Sequence, residues 1–294
     1  MEQVPRLDAA DLVRRIERAG GPSLEPLRRL GGEVGAYEVR WPDGHLGVLT
    51  YAPPPRPDDD AGALERTHAL ADLARAAGQP IPRNELVLPL PEGDVAIVQE
   101  KAPGMPAPAF PSRRLVDHLL DLVAARRHLL RGHPLLRPQP PCLHLHGDGP
   151  GFCLHGSLHR HDDRTRAIAA AVEAIPDDTF PGDDLVHFDL HFGNVLVAED
   201  DPDRVTAVVD WDGARQGDVA HDLVVLILDL ERADAGLAAH VESVLDATTD
   251  PELKHRLFAH QSLRTVDWAL RQPGHDLDWW IRSAQRRLGL PSDG

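Results

Sequence analysis

The stretch Leu185–Val197, L-V-H-F-D-L-H-F-G-N-V-L-V, constrains this chain more than any other. Two short apolar runs, Leu185-Val186 and Val195-Leu196-Val197, enclose a polar loop holding His187, Asp189, His191 and Asn194. Val- and Leu-rich runs of that length read as short buried strands. A second β-branched run, Val205–Val209, ends in Asp210-Trp211-Asp212-Gly213. Each run delivers a carboxylate to a loop, so Asp189 and Asp210 can be brought to one place. An Asp, an Asn five positions on and a second Asp about 20 positions on form the layout of metal-assisted phosphoryl transfer. There one Asp accepts the substrate hydroxyl proton, while the Asn and the second Asp hold Mg²⁺ against the phosphates. Asp is also favoured in turns for local hydrogen bonding, and two unrelated Asp-rich turns are the plainer explanation to be weighed against that spacing.

At these residues the chain resembles the aminoglycoside phosphotransferase family, relatives of choline kinases and protein kinases. His187, Asp189 and Asn194 fit its H-x-D-x-x-x-x-N loop, and Val209-Asp210-Trp211 fits its [IV]-D-[WF] metal motif. Gly217-Asp218 and Asp222-Leu223 continue the pattern. The resemblance implies an α+β, two-lobed protein kinase-like fold. Its small antiparallel β-sheet N-lobe would occupy residues 1–100, its hinge 101–104 and its larger, mainly helical C-lobe 105–294. It implies ATP and Mg²⁺ as cofactors, Asp189 as proton acceptor, and Asn194 and Asp210 as metal ligands. His187 would support the loop, and His191 would either contact nucleotide or metal-side water or simply pack the loop.

In the N-terminal part, Asp8–Arg18 carries an amphipathic helix pattern closed by Gly20-Gly21-Pro22. Leu30–Val39 places Gly31, Gly32 and Gly35 in a turn before a strand. Glycines let backbone N–H groups approach phosphates closely, although a glycine hairpin is also a common turn. The family's nucleotide-covering loop falls here. Pro42-Asp43-Gly44 is a turn and His45–Tyr51 the third strand. The family pattern asks for a Lys near the end of that strand, paired with a helix Glu. Thr50 stands in its place, and Glu65, in the helical segment Ala61–Ala77, is either that Glu by position or a surface acid. Strands Leu86–Leu90 and Val95–Gln99 lead to Glu100-Lys101-Ala102-Pro103-Gly104. This resembles the family's hinge, with backbone groups of Glu100 and Ala102 taking the adenine edge.

Ser112–Arg131 has a long helical pattern. Cys142–His155 alternates around Gly147-Asp148-Gly149 as a hairpin would, one register setting Cys142 across from Cys153 with His144 and His155 nearby. Those side chains could hold Zn²⁺ or be two reduced thiols in a variable insertion. Thr165–Ile175 reads as a helix, Leu223–Leu228 as too apolar for a surface helix, and Ala233–Ala247, Pro251–Arg271 and Asp276–Leu288 as a helical subdomain.

A net charge of −16 argues against sequence-independent nucleic-acid binding, which needs cations to displace counterions. It suits a cationic acceptor and serves solubility equally well. Met1–Arg6 shows no signal pattern, no apolar run approaches the roughly 20 residues of a membrane span, and two Cys indicate no disulfide framework. A cytoplasmic location without membrane partner is expected. Three functions fit. One is a kinase moving the γ-phosphoryl group of ATP to a hydroxyl of a small molecule, such as an aminoglycoside or other antibiotic. Another is a kinase of Ser or Thr in a precursor peptide in natural-product biosynthesis, with a partner lyase. The third, motivated by Thr50, is a nucleotide-binding scaffold without turnover.

Overall fold

A computed structural model of the chain describes residues 7–32, 35–54, 62–149, 153–272 and 274–291. Met1–Arg6, Glu33 and Val34 of the glycine turn, most of the proline-rich run 53–60, and Pro150–Phe152 lie outside the described residues. Two compact units form. One comprises 1–107 with 194–212, the other 108–193 with 213–294.

The first unit opens with α1 (Ala9–Arg18), whose first turn is capped by the Asp8 carboxylate accepting from the Asp11 N–H. Strands β1 (Glu25–Gly31), β2 (Ala36–Arg40) and β3 (Leu46–Ala52) follow, then α2 (Ala63–Ala76), β4 (Asn84–Pro89) and β5 (Val95–Glu100). The five strands form an antiparallel sheet in the order β1-β2-β3-β5-β4. Alternation along the strands puts Val39, Leu49, Ala96 and Val98 on one face, where Leu12, Val13 and Ile16 of α1 pack on them. Ile16 has no exposed surface, and burying a side chain of its size contributes about 1.5–3 kcal/mol. Glu38, Val48, Thr50 and Gln99 point to the other face, as the register Glu38↔Val48↔Gln99 requires. A short strand β6 (Met105–Pro106) closes this part of the chain.

The second unit begins with α3 (Arg113–Ala124), α4 (His155–His161) and α5 (Asp163–Glu173), followed by β7 (Asp184–Val186). The chain then returns to the first unit as β8 (Val195–Val197) and β9 (Val205–Val208), an antiparallel pair with β6 on the free edge of β8. It re-enters the second unit as β10 (Arg215–Gly217), which pairs with β7. The helices α6 (Ala220–Ala233), α7 (Ala235–Thr248), α8 (Pro251–Arg271) and α9 (Leu277–Arg287) complete it. The run 223–228 is buried on every side of α6, as its uniform hydrophobicity predicted.

Two local expectations are corrected. The helix predicted over Ser112–Arg131 stops at Ala124. Arg126 is drawn inward to the buried Asp222, and His128 turns to φ +56° so that its N–H reaches Asp184 at 2.7 Å. The island at 142–155 does not set its cysteines against each other. Cys142 bridges Thr179 and donates its thiol to Asp178 Oδ2 at 2.8 Å, whereas Cys153 bridges Gly149. The island instead runs into α4, whose sequence H-G-S-L-H-R-H lacks the apolar stripe that would have revealed a helix.

Candidate active site

The loop after β7 is held from beneath by one fully buried carboxylate. Asp222, in the first turn of α6, accepts the His187 N–H at 2.9 Å and the Phe188 N–H at 2.9 Å, and Arg126 Nη1 donates to it at 2.7 Å. Phe188 adopts φ +75°, costly for a residue with a Cβ. Such strain, of order 1–3 kcal/mol, persists only where surrounding contacts over-determine it. Here they do: the ring of Phe188 stacks on His221 at 4.1 Å with 7° between planes, and the Arg215 guanidinium lies 3.7 Å from its centroid. The consequence falls on the next residue, Asp189. Gly217 of the G-D motif is needed because a Cβ there would stand 2.1 Å from the Phe180 ring. Asp218 accepts the Ala220 N–H at the start of α6, and burial pushes its carboxyl above the usual carboxylate range.

Asp189 is half-buried. Arg264 Nη2 of α8 lies 3.3 Å from its Oδ1, and His191 Nε2 lies 3.7 Å from its Oδ2. Both histidines accept backbone N–H groups on Nδ1, His187 from Asp189 at 3.3 Å and His191 from Gly193 at 3.0 Å. This assigns their protons to Nε2 and shows each shaping the loop locally. His187 is completely buried.

Asn194 and Asp210 belong to the first unit and are brought together there. Asn194 immediately precedes β8, and its carbonyl accepts the Val209 N–H at 2.9 Å, extending the β8–β9 ladder by one bond. Asp210 follows at φ +63°, exposed, with the buried Trp211 tied back to the Val208 carbonyl at 3.0 Å. An amide oxygen and a carboxylate on adjacent strand ends are hard oxygen donors that suit Mg²⁺.

On the sheet, Gly31, Gly32 and Gly35 adopt φ of +136°, +77° and +106°, a region that glycine enters without steric cost. Thr50 lies opposite Ile97 on the face away from α1, Glu65 is exposed on the first turn of α2, Glu100 ends β5 opposite Gly47, and Ala102 follows it. The sequence reading missed two cation placements. Lys101 pairs with the buried Glu38, which also accepts from Arg28 Nε at 2.5 Å. Lys101 first and Arg28 second hold that carboxyl below its ordinary value. Arg29 Nη2 donates to the Gly32 carbonyl at 2.7 Å, setting a guanidinium in the glycine turn. Only the alternation of β1 could have hinted at Arg29, and nothing in the spacing pointed to Lys101 and Glu38.

The aromatic cluster beneath the loop has a pH consequence. Burial first, and then the repulsion that a second proton would meet beside His260 and Arg264, push His221 well below the ordinary 6.5; burial with the charge of Arg264 pushes His260 to about 3. Neither ring nitrogen of His221 has a hydrogen-bond partner among the described residues. The unfolded chain takes up these protons near pH 6.5 and the native one does not, so their contribution to stability is complete above 6.5 and is lost as pH falls below it. Thermal melts from pH 7.5 to 5 should show Tm falling, and His221→Phe should flatten that slope.

The family model described as the phosphotransferase enzyme family matches residues 26–256. The chain belongs to that family. It is accordingly a phosphotransferase with an alcohol group as acceptor. Among solved structures it is similar to the aminoglycoside phosphotransferase APH(4)-Ia at 18% identity and TM-score 0.62, covering 97% of this chain and 100% of that one. It is similar also to the amicoumacin kinase hAmiN, solved with AMP-PNP, Ca²⁺ and Ami, at 15% identity and TM-score 0.61, covering 98% and 96%. The macrolide 2′-phosphotransferase MphH from Brachybacterium faecium matches at 22% identity and TM-score 0.54, covering 98% and 100%. No curated protein matches the sequence. The fold of this phosphotransferase is thus the two-lobed, protein kinase-like α+β fold. No helix among its described residues is long and apolar enough to cross a membrane.

Proposed function

We propose that the protein is an ATP- and Mg²⁺-dependent kinase that moves the γ-phosphoryl group to a hydroxyl of a small molecule. Asp189 orients and deprotonates the acceptor, and Asn194 and Asp210 hold the metal. Mg²⁺, when bound, neutralises phosphate charge. The observation that carries the reading is the Asp222 clamp, which fixes the backbone on which Asp189 stands. The nucleotide is inferred from family membership and from relatives solved with ADP or AMP-PNP. Arg29 in the glycine turn supplies the positive charge for the phosphates that Thr50 cannot. Arg29→Gln should therefore raise the Kd of ATP·Mg²⁺ about tenfold or more, the scale of a charge-assisted hydrogen bond, as read by calorimetry.

The charges around Asp189 bear on the acceptor. Asp267 is fully buried and engaged by Arg271 at 2.6 Å and by the Leu154 N–H at 3.0 Å; Asp276 caps α9. Asp278 pairs with Arg164 at 2.9 Å. These acids are committed within the protein, while Arg264 and Arg215 flank the loop. A neutral or anionic alcohol fits these surroundings better than a polyamine. The deciding assay is transfer from labelled ATP across a panel of aminoglycosides, macrolides, carboxylate-bearing alcohols and Ser- or Thr-containing peptides. Nucleotide binding without transfer to any of them would overturn the kinase reading in favour of a scaffold.

A further inference from the structure

The second unit holds a cluster that phosphoryl transfer does not use. His155 and His159 stand one helical turn apart on α4, and both face Glu173 at the end of α5. His155 Nδ1 lies 2.9 Å and His159 Nε2 lies 2.8 Å from the same Glu173 oxygen. The candidate ligand atoms all lie within 4.8 Å of one another.

Proton accounting makes this arrangement informative. His155 Nε2 lies 2.9 Å from the His144 carbonyl, which can only accept, so that nitrogen carries the proton. In the neutral ring Nδ1 is then a lone pair, yet it faces a carboxylate oxygen. A cation holds the two together, either a proton shared by the imidazole and the carboxyl or a metal ion. A histidine whose far N–H is fixed by a backbone carbonyl is the usual state of a metal ligand. The backbone N–H of His155 donates to Asp148 Oδ1 at 2.8 Å, which fixes the main chain that carries the ring.

His159 and Glu173 are 43% and 37% exposed, leaving the cluster open to an ion and to a water. The cluster His128, Asp183 and Asp184 is a weaker candidate, because Arg131 already occupies Asp183 at 2.6 Å. Two imidazoles and one carboxylate with an open position are a zinc donor set. Bonds of about 2.0–2.1 Å to tetrahedral Zn²⁺ place ligand atoms roughly 3.3 Å apart, so small side-chain shifts suffice.

We propose that His155 Nδ1, His159 Nε2 and a Glu173 carboxylate oxygen bind Zn²⁺, with water as fourth ligand, fastening α4 to α5. The proposal is independent of the kinase reading. It also differs from the cysteine-based site, since Cys142 and Cys153 bridge other residues.

The test uses the full chain stripped with a chelator and titrated with Zn²⁺ by calorimetry, with Co²⁺ as a spectroscopic stand-in. The wild type should bind about one equivalent and show tetrahedral Co²⁺ absorption. His159→Ala and Glu173→Gln, both at exposed positions, should each weaken binding at least about 10-fold. Cys142→Ser with Cys153→Ser should leave it unchanged. Melting of each metal-free variant checks its fold. Should either exposed variant fail to fold, the Zn²⁺-induced rise in wild-type Tm, absent with Mg²⁺, decides the matter. Less than about half an equivalent in the wild type, unchanged binding in His159→Ala, or loss in the thiol variant would each overturn the proposal.

Discussion

Asp189→Ala should cut turnover at least about 10²-fold, the lower end of what a positioned general base contributes, while ATP·Mg²⁺ affinity stays near the wild-type value. The expectation rests on how the carboxylate is held. It leaves a strained residue, Phe188, and is met by Arg264 at 3.3 Å, so its direction is set before any acceptor arrives. Asp189→Asn preserves the shape and an oxygen for Arg264 while removing basicity, and it should lose as much turnover as the alanine variant. Asp210→Ala should differ in kind, weakening the Mg²⁺ dependence of nucleotide binding. Steady-state rates with an acceptor from the panel, beside calorimetry with ATP·Mg²⁺, read both effects. Wild-type turnover in Asp189→Asn would remove this residue from proton transfer.

Asp222→Ala should be the most destabilising single change in the catalytic region. It strips two backbone N–H groups of their acceptor and leaves the Arg126 guanidinium, 2% exposed, without its carboxylate. Breaking a buried ion pair from one side costs about 3–5 kcal/mol. For a unit of this size each kcal/mol is worth about 2–4 °C, so Tm should fall by roughly 10 °C. The effect on activity should exceed what the unfolded fraction explains, because the Phe188 conformation loses the contacts that impose it. Asp222→Asn keeps one acceptor oxygen and should fall between the two. A melting temperature within about 2 °C of wild type in Asp222→Ala, less than the shift expected for 1 kcal/mol, would show that the clamp is not what holds the loop.

Much of this was legible from residue order because the chemistry of the loop is local. His187, Asp189, Asn194 and Asp210 sit at spacings set by two short strands, and periodicity places α1, β2 to β5, α8 and α9 to within a few residues, but not β1. The family pattern also marked Asp222, but not its task. That task depends on α6 delivering a carboxylate to amides 34 and 35 positions earlier and to a guanidinium 96 positions away. The same limit explains the shortened α3, where Arg126 and His128 satisfy distant acids instead of continuing the helix.

Residue order alone located the motif loop and most of the elements around it, since alternation, helical period and motif spacing are properties of neighbours along the chain. Tertiary structure decided which charges are committed and which remain to act. It sent Lys101 to Glu38, set Arg29 in the glycine turn, engaged Asp267 internally and gathered His155, His159 and Glu173 on one carboxylate oxygen. The physical reason is that the partner of an ionised or hydrogen-bonding side chain is chosen by distance in space, and one-dimensional spacing carries no record of that distance.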